Sequence, residues 1–496
     1  MLLSELATYL IASRIHGDGG TACQGIAIDS RQVQAGDLFV CLPGHTVDGH
    51  DFAPQAAERG AAALVVERHL EHIGLPQLEV GDSRLAMAIL GNVFYRMPSK
   101  RLKVIGVTGT NGKTTTTYLI DRILADQGIN TGLIGTIERK YAGQAFPMPR
   151  TTPESLDLQR YLDEMTQSGV DYCVMEVSSH ALEQGRVKGT RFRTAVFTNL
   201  TQDHLDYHHT MEEYRAAKGL FFSRLGNTYE EDPGLRSYAV LNADDPASAY
   251  FAKQTAAEVI TYGVENPADI RATDISITAR GTSFHVDTFQ GSTDVALRMV
   301  GKFNVYNALA AIAAALLEGV PLNRIKESLE ALKGVDGRVE AVDEGQPFAV
   351  IVDYAHTPDG LENVLRTVSE FAVGRVICVF GCGGDRDRMK RPIMGRIAAR
   401  YAQHVIVTSD NPRTEDPVAI LSDIATGLEE DKVPKERYEL IADRREAIQK
   451  AIEMASSEDV VLIAGKGHET YQLIGTAVYD FDDRIVAKEA IRGLSK

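Results

Sequence analysis

One short segment of the chain combines glycines with a lysine and hydroxyl residues directly after an apolar run. It reads Thr108-Gly-Thr-Asn-Gly-Lys-Thr-Thr, and a helical pattern follows it. Glycines let backbone N–H groups close around phosphate oxygens, a lysine neutralises their charge, and a threonine hydroxyl can reach Mg²⁺. The strict phosphate-loop pattern requires glycine at position 107, where this chain has Val107. The segment therefore predicts a variant phosphate loop that binds a nucleotide.

An acidic residue, Glu176, stands near the end of the apolar run DYCVMEV. A carboxylate at the end of a buried strand is costly unless it meets a cation, and Mg²⁺ at the phosphate loop would supply one. The residues alone also allow a helix cap or a surface acid. We expect Glu176 to be a metal partner, with the structural role as the alternative.

The segment TNLTQDHLDYHHTMEEYRAAKG gathers acids and histidines ahead of a predicted helix. Its titratable residues include Asp203, His204, Asp206, His208, His209 and, on the helix, Lys218. His204 and His208 could bind zinc, but the pattern HExxH that would support a zinc site is absent. The residues alone therefore favour a loop with helix-capping side chains.

A rigid polar turn, DNPR, follows the apolar run HVIVT. In this turn Pro412 holds the cation Arg413 beside Asp410 and Asn411. The same residues are typical of a plain turn, in which Asp and Asn cap the backbone and proline sets φ. The residues alone therefore allow either a ligand-binding loop or a plain turn at DNPR.

These segments must be positioned by alternating strands and helices. From KVIGVTG onward, apolar runs of strand length alternate with helical periods, which predicts parallel βαβ units with helices on both faces of a sheet. Polar connectors after Pro98 and at LKGVDGRVE divide the chain into three predicted α/β domains, residues 1–98, 99–334 and 335–496. Near ITARGTSFHVDTF the pattern changes to period two, which predicts a small antiparallel addition.

The last predicted domain consists of four units in which a strand runs into a polar loop. They are FAVIVDYAHTPD, RVICVFGCGGDRD, HVIVTSDNPR and VVLIAGKGHE. Carboxyl ends of parallel strands line one crevice of an open sheet, and ligands bind there. We therefore expect DNPR to form one wall of a pocket.

Bulk composition narrows the classes of partner. The 496 residues carry a net charge of −16, which argues against binding to a nucleic-acid backbone. The five cysteines lack CxxC spacing and are expected to be reduced thiols. The longest apolar run, Ala308 to Leu317, is too short to span a bilayer. We expect a cytoplasmic monomer that acts on small molecules, with neither nucleic acid nor membrane as a partner.

The ordered motifs together resemble the Mur ligases of bacterial peptidoglycan synthesis. The resemblance rests on TGTNGKTT, MEVSSH, TNLTQDHLDYH and EYRAAK, and it continues through GKFNVYNALAA, the pair Gly337-Arg338, DYAHTPD, FGCGGDRD, SDNPR and AGKGHE. It therefore spans all three predicted domains. Within the family, the chain is most similar to the members that add meso-diaminopimelate to UDP-N-acetylmuramoyl-L-alanyl-D-glutamate.

The resemblance implies an N-terminal UDP-sugar domain, a central ATPase domain with a phosphate loop, and a C-terminal Rossmann-like domain that binds the incoming amino acid. It also implies ATP and Mg²⁺ as cofactors. The implied reaction transfers the γ-phosphoryl group of ATP to the D-glutamyl γ-carboxylate. The resulting acyl phosphate is then attacked by the amine, which forms an amide.

The resemblance also implies roles for residues around the nucleotide. The implied catalytic residues are Lys113, Glu176, His204 and Lys218, and the implied metal partners are Thr114, Glu176, His204 and Lys218. The expected ATP contacts are Gly109, Thr110, Asn111, Gly112, Lys113, Thr114, Thr115, Asn304, Arg338, Asp353 and His356. Lys218 matches the carbamylated lysine of the family. The alternative is an unmodified lysine with its ammonium on the helix surface, which is the usual state of lysines in proteins. Asn304 could instead cap a helix, and Arg338 could be a solvated linker charge.

A second implied set binds the UDP-muramoyl dipeptide. Its members are Ser30, His45, Thr46, Val47, Thr151, Thr152, Ser178, Gln184 and Arg186. Because Thr151 and Thr152 precede Pro153, a plain helix start is the alternative interpretation of those two residues.

A third implied set binds meso-diaminopimelate, which differs from lysine by a second carboxylate. Its members are Arg386, Asp410, Asn411, Pro412, Arg413, Gly465 and Glu469. Arginine offers a bidentate fork for a carboxylate, so Arg413 is expected to read the distal one, with Asp410 and Asn411 near the distal amine. The rival functions are a lysine-adding Mur ligase, a folylpolyglutamate synthase, and a phosphate-loop kinase or nucleotide switch.

Overall fold

The computed structural model describes residues 1–44, 47–228, 230–278, 281–332, 334–335 and 337–494. His45 and Thr46, both predicted for the UDP-sugar site, lie outside the described residues. The described chain forms three successive α/β units, each built on its own parallel-rich sheet, together with a small hairpin. The predicted fold class is therefore confirmed, while the domain boundaries at residues 98 and 334 stay predictions.

The N-terminal unit has a five-stranded sheet in the order β1-β5-β4-β3-β2, parallel except for β1 against β5. Its elements are α1 (Leu3–Ala7), β1 (Ser13–His16), β2 (Gly25–Ala27), β3 (Asp37–Val40), α2 (Ala53–Glu58), β4 (Ala63–Val66), β5 (Gln77–Val80) and α3 (Ser83–Phe94). Strands β3 and β4 are buried along their whole length, as expected for strands covered on both faces.

The central unit contains an eleven-stranded sheet in the order β16-β15-β14-β13-β12-β11-β6-β10-β7-β8-β9. Its elements are β6 (Lys103–Thr108), α4 (Lys113–Asp126), β7 (Thr131–Ile134), β8 (Glu138–Tyr141), β9 (Gln144–Pro147), α5 (Ser155–Gln167), β10 (Tyr172–Glu176), α6 (Ser179–Glu183), β11 (Thr194–Phe197), α7 (Leu205–His208), α8 (Met211–Ser223), β12 (Tyr238–Asn242), α9 (Ala247–Gln254), β13 (Glu258–Gly263), β14 (Ile270–Thr278), β15 (Gly281–Thr288), β16 (Gly291–Leu297), α10 (Lys302–Leu317) and α11 (Leu322–Ala331).

The period-two pattern of the central unit corresponds to β14, β15 and β16, which pair antiparallel as predicted. The alanine-rich helix α10 is buried almost all round, because small side chains let it lie close to α4 and to the sheet. Strand β6 lies between β10 and β11 in the parallel part of the sheet. The phosphate-loop segment therefore leaves the sheet at its centre.

The C-terminal unit has a six-stranded sheet in the order β17-β18-β22-β19-β20-β21, parallel apart from β17. Its elements are β17 (Glu340–Ala341), β18 (Ala349–Asp353), α12 (Pro358–Phe371), β19 (Val376–Phe380), α13 (Lys390–Tyr401), β20 (His404–Val407), α14 (Pro417–Glu430), β21 (Tyr438–Leu440), α15 (Arg444–Met454), β22 (Val460–Ala464), the hairpin β23 (Tyr471–Ile474) and β24 (Ala477–Asp480), and α16 (Asp483–Leu494). The four predicted strand-to-loop units are neighbours in this sheet, so their loops meet at one edge.

Two further features bear on the class of protein. All five cysteines are free and buried. Within the described ranges, no helix combines the length and the apolar character that crossing a membrane requires.

Candidate active site

The phosphate loop joins the end of β6 to the start of α4, and two of its glycines cannot be replaced without a clash. A Cβ on Gly109 would lie 1.8 Å from Oγ1 of Thr198, and one on Gly112 would lie 2.3 Å from Oδ1 of Asn307. The ammonium of Lys113 donates to the carbonyl oxygens of Gly109 at 3.0 Å and Thr110 at 2.7 Å. The loop thus presents a cation and the N-terminus of α4 together, as phosphate binding requires.

Glu176 lies at the carboxyl end of β10, next to the phosphate loop. The hydroxyl of Thr114 donates to its Oε1 at 3.0 Å, and the backbone N–H of Thr136 donates to the same oxygen at 2.8 Å. These contacts place a hydroxyl and a carboxylate oxygen beside the loop. Hard oxygen ligands of this kind suit Mg²⁺, so the residues present fit the predicted metal.

Lys218 is buried inside the same site rather than exposed on the helix surface. Its side chain is 1% exposed, and its Nζ donates to the carbonyl oxygen of Gly109 at 2.9 Å. Burial, and then the charge of Lys113, hold the pKa of Lys218 well below its usual range. Its amine is therefore disposed to be neutral, and a neutral amine is the form that reacts with CO₂.

His204 lies near Lys218 and adopts a left-handed backbone conformation, with φ of 55°. Its ring is edge-on to His180 with ring centroids 4.7 Å apart, and its Nε2 lies 3.4 Å from Oδ2 of Asp203. Burial lowers the pKa of His204 to about 4, which leaves a neutral imidazole at neutral pH. His208 is instead held by Ser179 at 2.9 Å and Glu183 at 3.0 Å, and the described residues contain no metal-ligating cluster of three His, Cys, Asp or Glu side chains.

A cavity of about 780 Å³ lies between the central and C-terminal units. Its lining includes the predicted ATP contacts Asn111, Gly112, Thr114, Thr115, Arg338, Asp353 and His356. Arg338 lies over the ring of Tyr354, and its Nη2 donates to the hydroxyl of Thr114 at 3.3 Å. Asp353 accepts the backbone N–H groups of Val339 and Ala355, both at 2.8 Å. Arg338 therefore connects the two units at the phosphate loop.

Asn304 lies behind the cavity wall rather than in it. Its amide donates to the carbonyl oxygen of Val300 at 2.9 Å and accepts from the amide of Asn307 at 3.1 Å. Asn307, one helical turn further along α10, lines the cavity. Asn307 was not predicted from the sequence, although it lies three residues after Asn304 in KFNVYN and therefore on the same side of the helix.

Four of the residues predicted for the dipeptide form one hydrogen-bonded network beside Glu176. The hydroxyl of Thr152 donates to the carbonyl oxygen of Glu176 at 2.9 Å and accepts the backbone N–H of Ser178 at 3.1 Å. Arg186 donates to the carbonyl oxygen of Thr152 at 3.1 Å and to the amide oxygen of Gln184 at 3.0 Å. The network is therefore joined to Glu176, whose side chain accepts the hydroxyl of Thr114.

The remaining residues predicted for the UDP-muramoyl dipeptide are more dispersed. The hydroxyl of Thr151 lies 3.0 Å from that of Thr136, which connects it to the surroundings of Glu176. Helix α5 begins only at Ser155, after both threonines. Ser30 bonds to Gln55 at 2.5 Å in the N-terminal unit, where Val47 is exposed.

The pocket predicted for the amino acid lies at the carboxyl ends of β19, β20 and β22. The amide of Asn411 donates to Oε2 of Glu469 at 2.8 Å, and a Cβ on Gly465 would lie 2.7 Å from Oδ2 of Asp410. A fully buried cation, Lys466, lies between these groups and donates to Glu469 at 2.9 Å and to Asn411 at 3.1 Å. The structure thus brings charged groups of both signs together at these strand ends.

Arg413 follows Pro412 and adopts a left-handed conformation, with φ of 51°. Its backbone N–H donates to the carbonyl oxygen of Leu473 at 3.1 Å, which ties the DNPR turn to the hairpin β23–β24. Its Nη1 donates to the carbonyl oxygen of Gly384 at 2.8 Å, and among the described residues it forms no ion pair with a carboxylate. A Cβ on Gly383 would lie 2.9 Å from Nη1 of Arg413 and 3.8 Å from Cγ of Arg386, so the two arginines flank this glycine.

Comparison with known families accounts for the three units together. The N-terminal unit matches the model for the Mur ligase family, catalytic domain, over residues 23–95. The Mur ligase middle domain matches residues 107–315, and the Mur ligase, glutamate ligase domain, matches residues 337–467. The chain belongs to the Mur ligase family.

Similar Mur ligases cover the whole chain. UDP-N-acetylmuramoyl-L-alanyl-D-glutamate–2,6-diaminopimelate ligase of Halalkalibacterium halodurans is 54% identical over 490 residues, 99% of each chain, and that of Bacillus velezensis is 52% identical over 497 residues, 100% of each. A solved structure of an enzyme of the same name has a TM-score of 0.71 at 34% identity, covering 100% of this chain and 99% of that one. A MurF ligase of Thermotoga maritima in complex with ADP has a TM-score of 0.64 at 19% identity, covering 96% and 97%, which shows the shared fold.

In this Mur ligase, sequence reasoning missed several residues besides Asn307. Lys466 is the lysine of the motif AGKGHE, and its position in a loop at the end of a strand could have identified it as a site residue. Asp359 contacts the phosphate loop from the C-terminal unit, because its Oδ2 accepts the side-chain amide of Asn111 at 2.7 Å, and the same oxygen accepts the hydroxyl of Thr201 at 2.8 Å. Arg444 forms a fully buried ion pair with Asp483 at 2.7 Å and supports the ends of β20 and β22, and its sequence context carried no such signal.

Proposed function

We propose that this chain is an ATP-dependent ligase that joins meso-diaminopimelate to the D-glutamyl γ-carboxylate of UDP-N-acetylmuramoyl-L-alanyl-D-glutamate. The observation that carries the proposal is Arg413, an arginine without a carboxylate partner among the described residues, in a loop at the carboxyl ends of the C-terminal strands. The names of the full-length relatives support the same substrate pair. The proposed domains are residues 1–98 for the UDP-sugar, 99–334 for ATP and 335–496 for the amino acid.

The proposed reaction has two steps. An oxygen of the D-glutamyl carboxylate bonds to the γ-phosphorus of ATP as the bond from that phosphorus to ADP breaks. The amine nitrogen of the amino acid then attacks the acyl carbon, the bond to phosphate breaks, and the amine loses a proton to solvent. Activation is needed because a carboxylate is a poor electrophile and its oxygen a poor leaving group.

Residues of this chain have separate tasks in these steps. Lys113 and the loop N–H groups hold the phosphates, and Arg338 neutralises charge from the opposite side of the cavity. The network of Thr152, Gln184 and Arg186 orients the dipeptide carboxylate.

A divalent metal completes the proposed phosphate site. Thr114 and Glu176, with His204 and a carbamate on Lys218, would hold Mg²⁺, which would supply positive charge to neutralise the phosphates. The low pKa and burial of Lys218 support the carbamate, because CO₂ reacts with the neutral amine.

Selection of the amino acid rests on charge complementarity at its distal end. Arg413 would pair with the distal carboxylate, and Asp410 and Asn411 would lie near the distal amine. Lysine has an ammonium at its distal end but no carboxylate, so it would leave the Arg413 guanidinium without a partner.

An activity assay with purified protein tests this function. Release of phosphate is measured with ATP, Mg²⁺ and the UDP-muramoyl dipeptide, in the presence of meso-diaminopimelate, L-lysine or no amino acid. We expect phosphate release and a UDP-tripeptide only with meso-diaminopimelate. Equal product with lysine would indicate a lysine-adding ligase. Phosphate release without dipeptide would indicate a nucleotide switch, and ADP formation without phosphate release would indicate a kinase.

A folylpolyglutamate synthase is the other candidate from a related fold. One such enzyme, of Mycobacterium tuberculosis, has a TM-score of 0.61 at 17% identity and covers 83% of this chain, which is a likeness of fold alone. The match of residues 23–95 to the Mur ligase catalytic domain favours the UDP-muramoyl substrate instead. We further propose that the protein acts as a cytoplasmic monomer on these small molecules, and sedimentation of the purified chain tests the monomeric state.

A further inference from the structure

Arg391, the second residue of α13, is a fully buried arginine that the reaction does not use. Its Nη1 donates to Oε2 of Glu415 at 2.9 Å and its Nη2 donates to Oε1 of Glu415 at 2.8 Å. The same guanidinium donates to Asp423 at 2.8 Å and to the carbonyl oxygen of Gly383 at 3.3 Å. The hydrogen bond from Arg391 lowers the pKa of Glu415 to about 2, so the pair is ionised at neutral pH.

Glu415 also reaches the loop that follows β19. Its Oε1 accepts the backbone N–H of Asp385 at 2.6 Å. Asp385 in turn accepts the hydroxyl of Thr414 at 2.8 Å, and the backbone N–H of Gly384 donates to the carbonyl oxygen of Asn411 at 2.9 Å. The loop after β19 and the loop after β20 are therefore cross-linked at several points, with the Arg391 guanidinium beneath both.

These two loops carry the two arginines of the pocket. Arg386 follows Asp385 directly, and Arg413 lies between Asn411 and Glu415 in the second loop. The loops approach so closely that a Cβ on Gly384 would lie 1.9 Å from the carbonyl oxygen of Pro412. Any change in the separation of the loops therefore changes the separation of the two guanidinium groups.

We propose that the ion pair of Arg391 and Glu415 is a positioning clamp that sets the spacing of Arg386 and Arg413, and thereby helps to select an amino acid with two charged ends. This inference rests on the proposed function. Arg391 is fully buried, so it acts through the loops and does not touch the substrate. Small displacements of positioning groups carry large kinetic effects, which gives a clamp of this kind a measurable consequence.

Glu415→Gln tests the clamp, because it keeps the shape of the side chain and removes the charge that holds Arg391. We expect the KM for meso-diaminopimelate to rise about tenfold, while the KM for ATP and the kcat at saturation change less than about twofold. The matched control is Asp459→Asn, which removes the carboxylate partner of Arg375, at 2.7 Å, from the opposite end of the same sheet. The control should leave the KM for meso-diaminopimelate unchanged.

A double-mutant cycle distinguishes positioning from general destabilisation. If the clamp acts through Arg413, Glu415→Gln should add little to the rise in the KM for meso-diaminopimelate that Arg413→Ala already causes. Arg391→Lys, which keeps the positive charge, should raise this KM less than Glu415→Gln does. An unchanged KM for meso-diaminopimelate in Glu415→Gln would overturn the inference. So would a parallel rise in the KM for ATP, or full additivity with Arg413→Ala. If the wild-type protein does not add meso-diaminopimelate, the proposed function itself fails, which is a separate result.

Discussion

The side-chain amide of Asn111, in the phosphate loop, donates a hydrogen bond of 2.7 Å to Oδ2 of Asp359, in the first turn of α12. The hydroxyl of Thr201 donates to the same oxygen at 2.8 Å. A carboxylate of the C-terminal unit thus occupies two donors beside the nucleotide cavity. Asp359 and the phosphates of a nucleotide are both negatively charged, so Asp359 would repel a nucleotide that binds at this loop.

Substitution of Asp359 by asparagine should strengthen nucleotide binding. The change removes the negative charge beside the phosphate loop and weakens the competition for the amide of Asn111, an effect of about 1 kcal/mol or roughly fivefold in Kd. Calorimetric titration with a non-hydrolysable ATP analogue measures it. Glu362→Gln is the control, since Glu362 lies on the same helix and bonds Tyr401 at 2.8 Å. Weaker or unaltered nucleotide binding in Asp359→Asn would contradict the prediction.

Arg413→Ala should raise the KM for meso-diaminopimelate and leave ATP binding nearly unchanged. Loss of one partner of a desolvated charged pair costs roughly 2–5 kcal/mol, which corresponds to about 30-fold or more. Initial-rate kinetics with each substrate varied in turn provide the measurement. Arg396→Ala, which removes a surface arginine paired with Glu430, is the control. Unaltered kinetics for meso-diaminopimelate in Arg413→Ala would refute the assigned role.

Lys218→Ala should lose most of the ligase activity, by about two orders of magnitude, because the carbamate that would help to hold the metal is absent. Short carboxylates such as acetate or formate should restore part of the activity by occupying the vacated space. Activity is measured as phosphate release across a series of carboxylate concentrations. Lys253→Ala, at the end of α9, serves as the comparison variant. Full activity of Lys218→Ala without added carboxylate would remove the carbamate from the mechanism.

The pair of Arg391 and Glu415 should make stability depend on pH in the acid range. The folded-state pKa of Glu415 is lowered from 4.5 to about 2, so its stabilisation is present above pH 4.5 and is lost as pH falls toward about 2. Glu415→Gln should therefore unfold at a lower urea concentration than the wild type at pH 6. The difference between the two should shrink steadily toward pH 2. A difference that is constant across this range would exclude the ion pair as its source.

Much of this architecture could be predicted from short segments. The alternation of apolar runs and helical periods predicted the parallel sheets, and the period-two stretch predicted β14, β15 and β16, because both patterns depend on neighbouring residues only. Asn307 escaped prediction because its neighbour Asn304 carried the motif, while the packing of α10 decides which of the two side chains reaches the cavity.

Local sequence was enough to predict the phosphate loop and the polar strand ends, since consecutive residues such as Gly112 and Lys113 define a loop and a helix start through local backbone geometry. Which loops meet depends on how the folded chain packs in three dimensions. Asn111 and Asp359 are 248 residues apart, and Asn411 and Lys466 are 55 apart. Asn411 and Lys466 come together because the strand order β18-β22-β19-β20 differs from the chain order, and that order is set by how helices pack on the two faces of the sheet. Asn111 and Asp359 come together because α12 of the C-terminal unit begins beside the phosphate loop of the central unit.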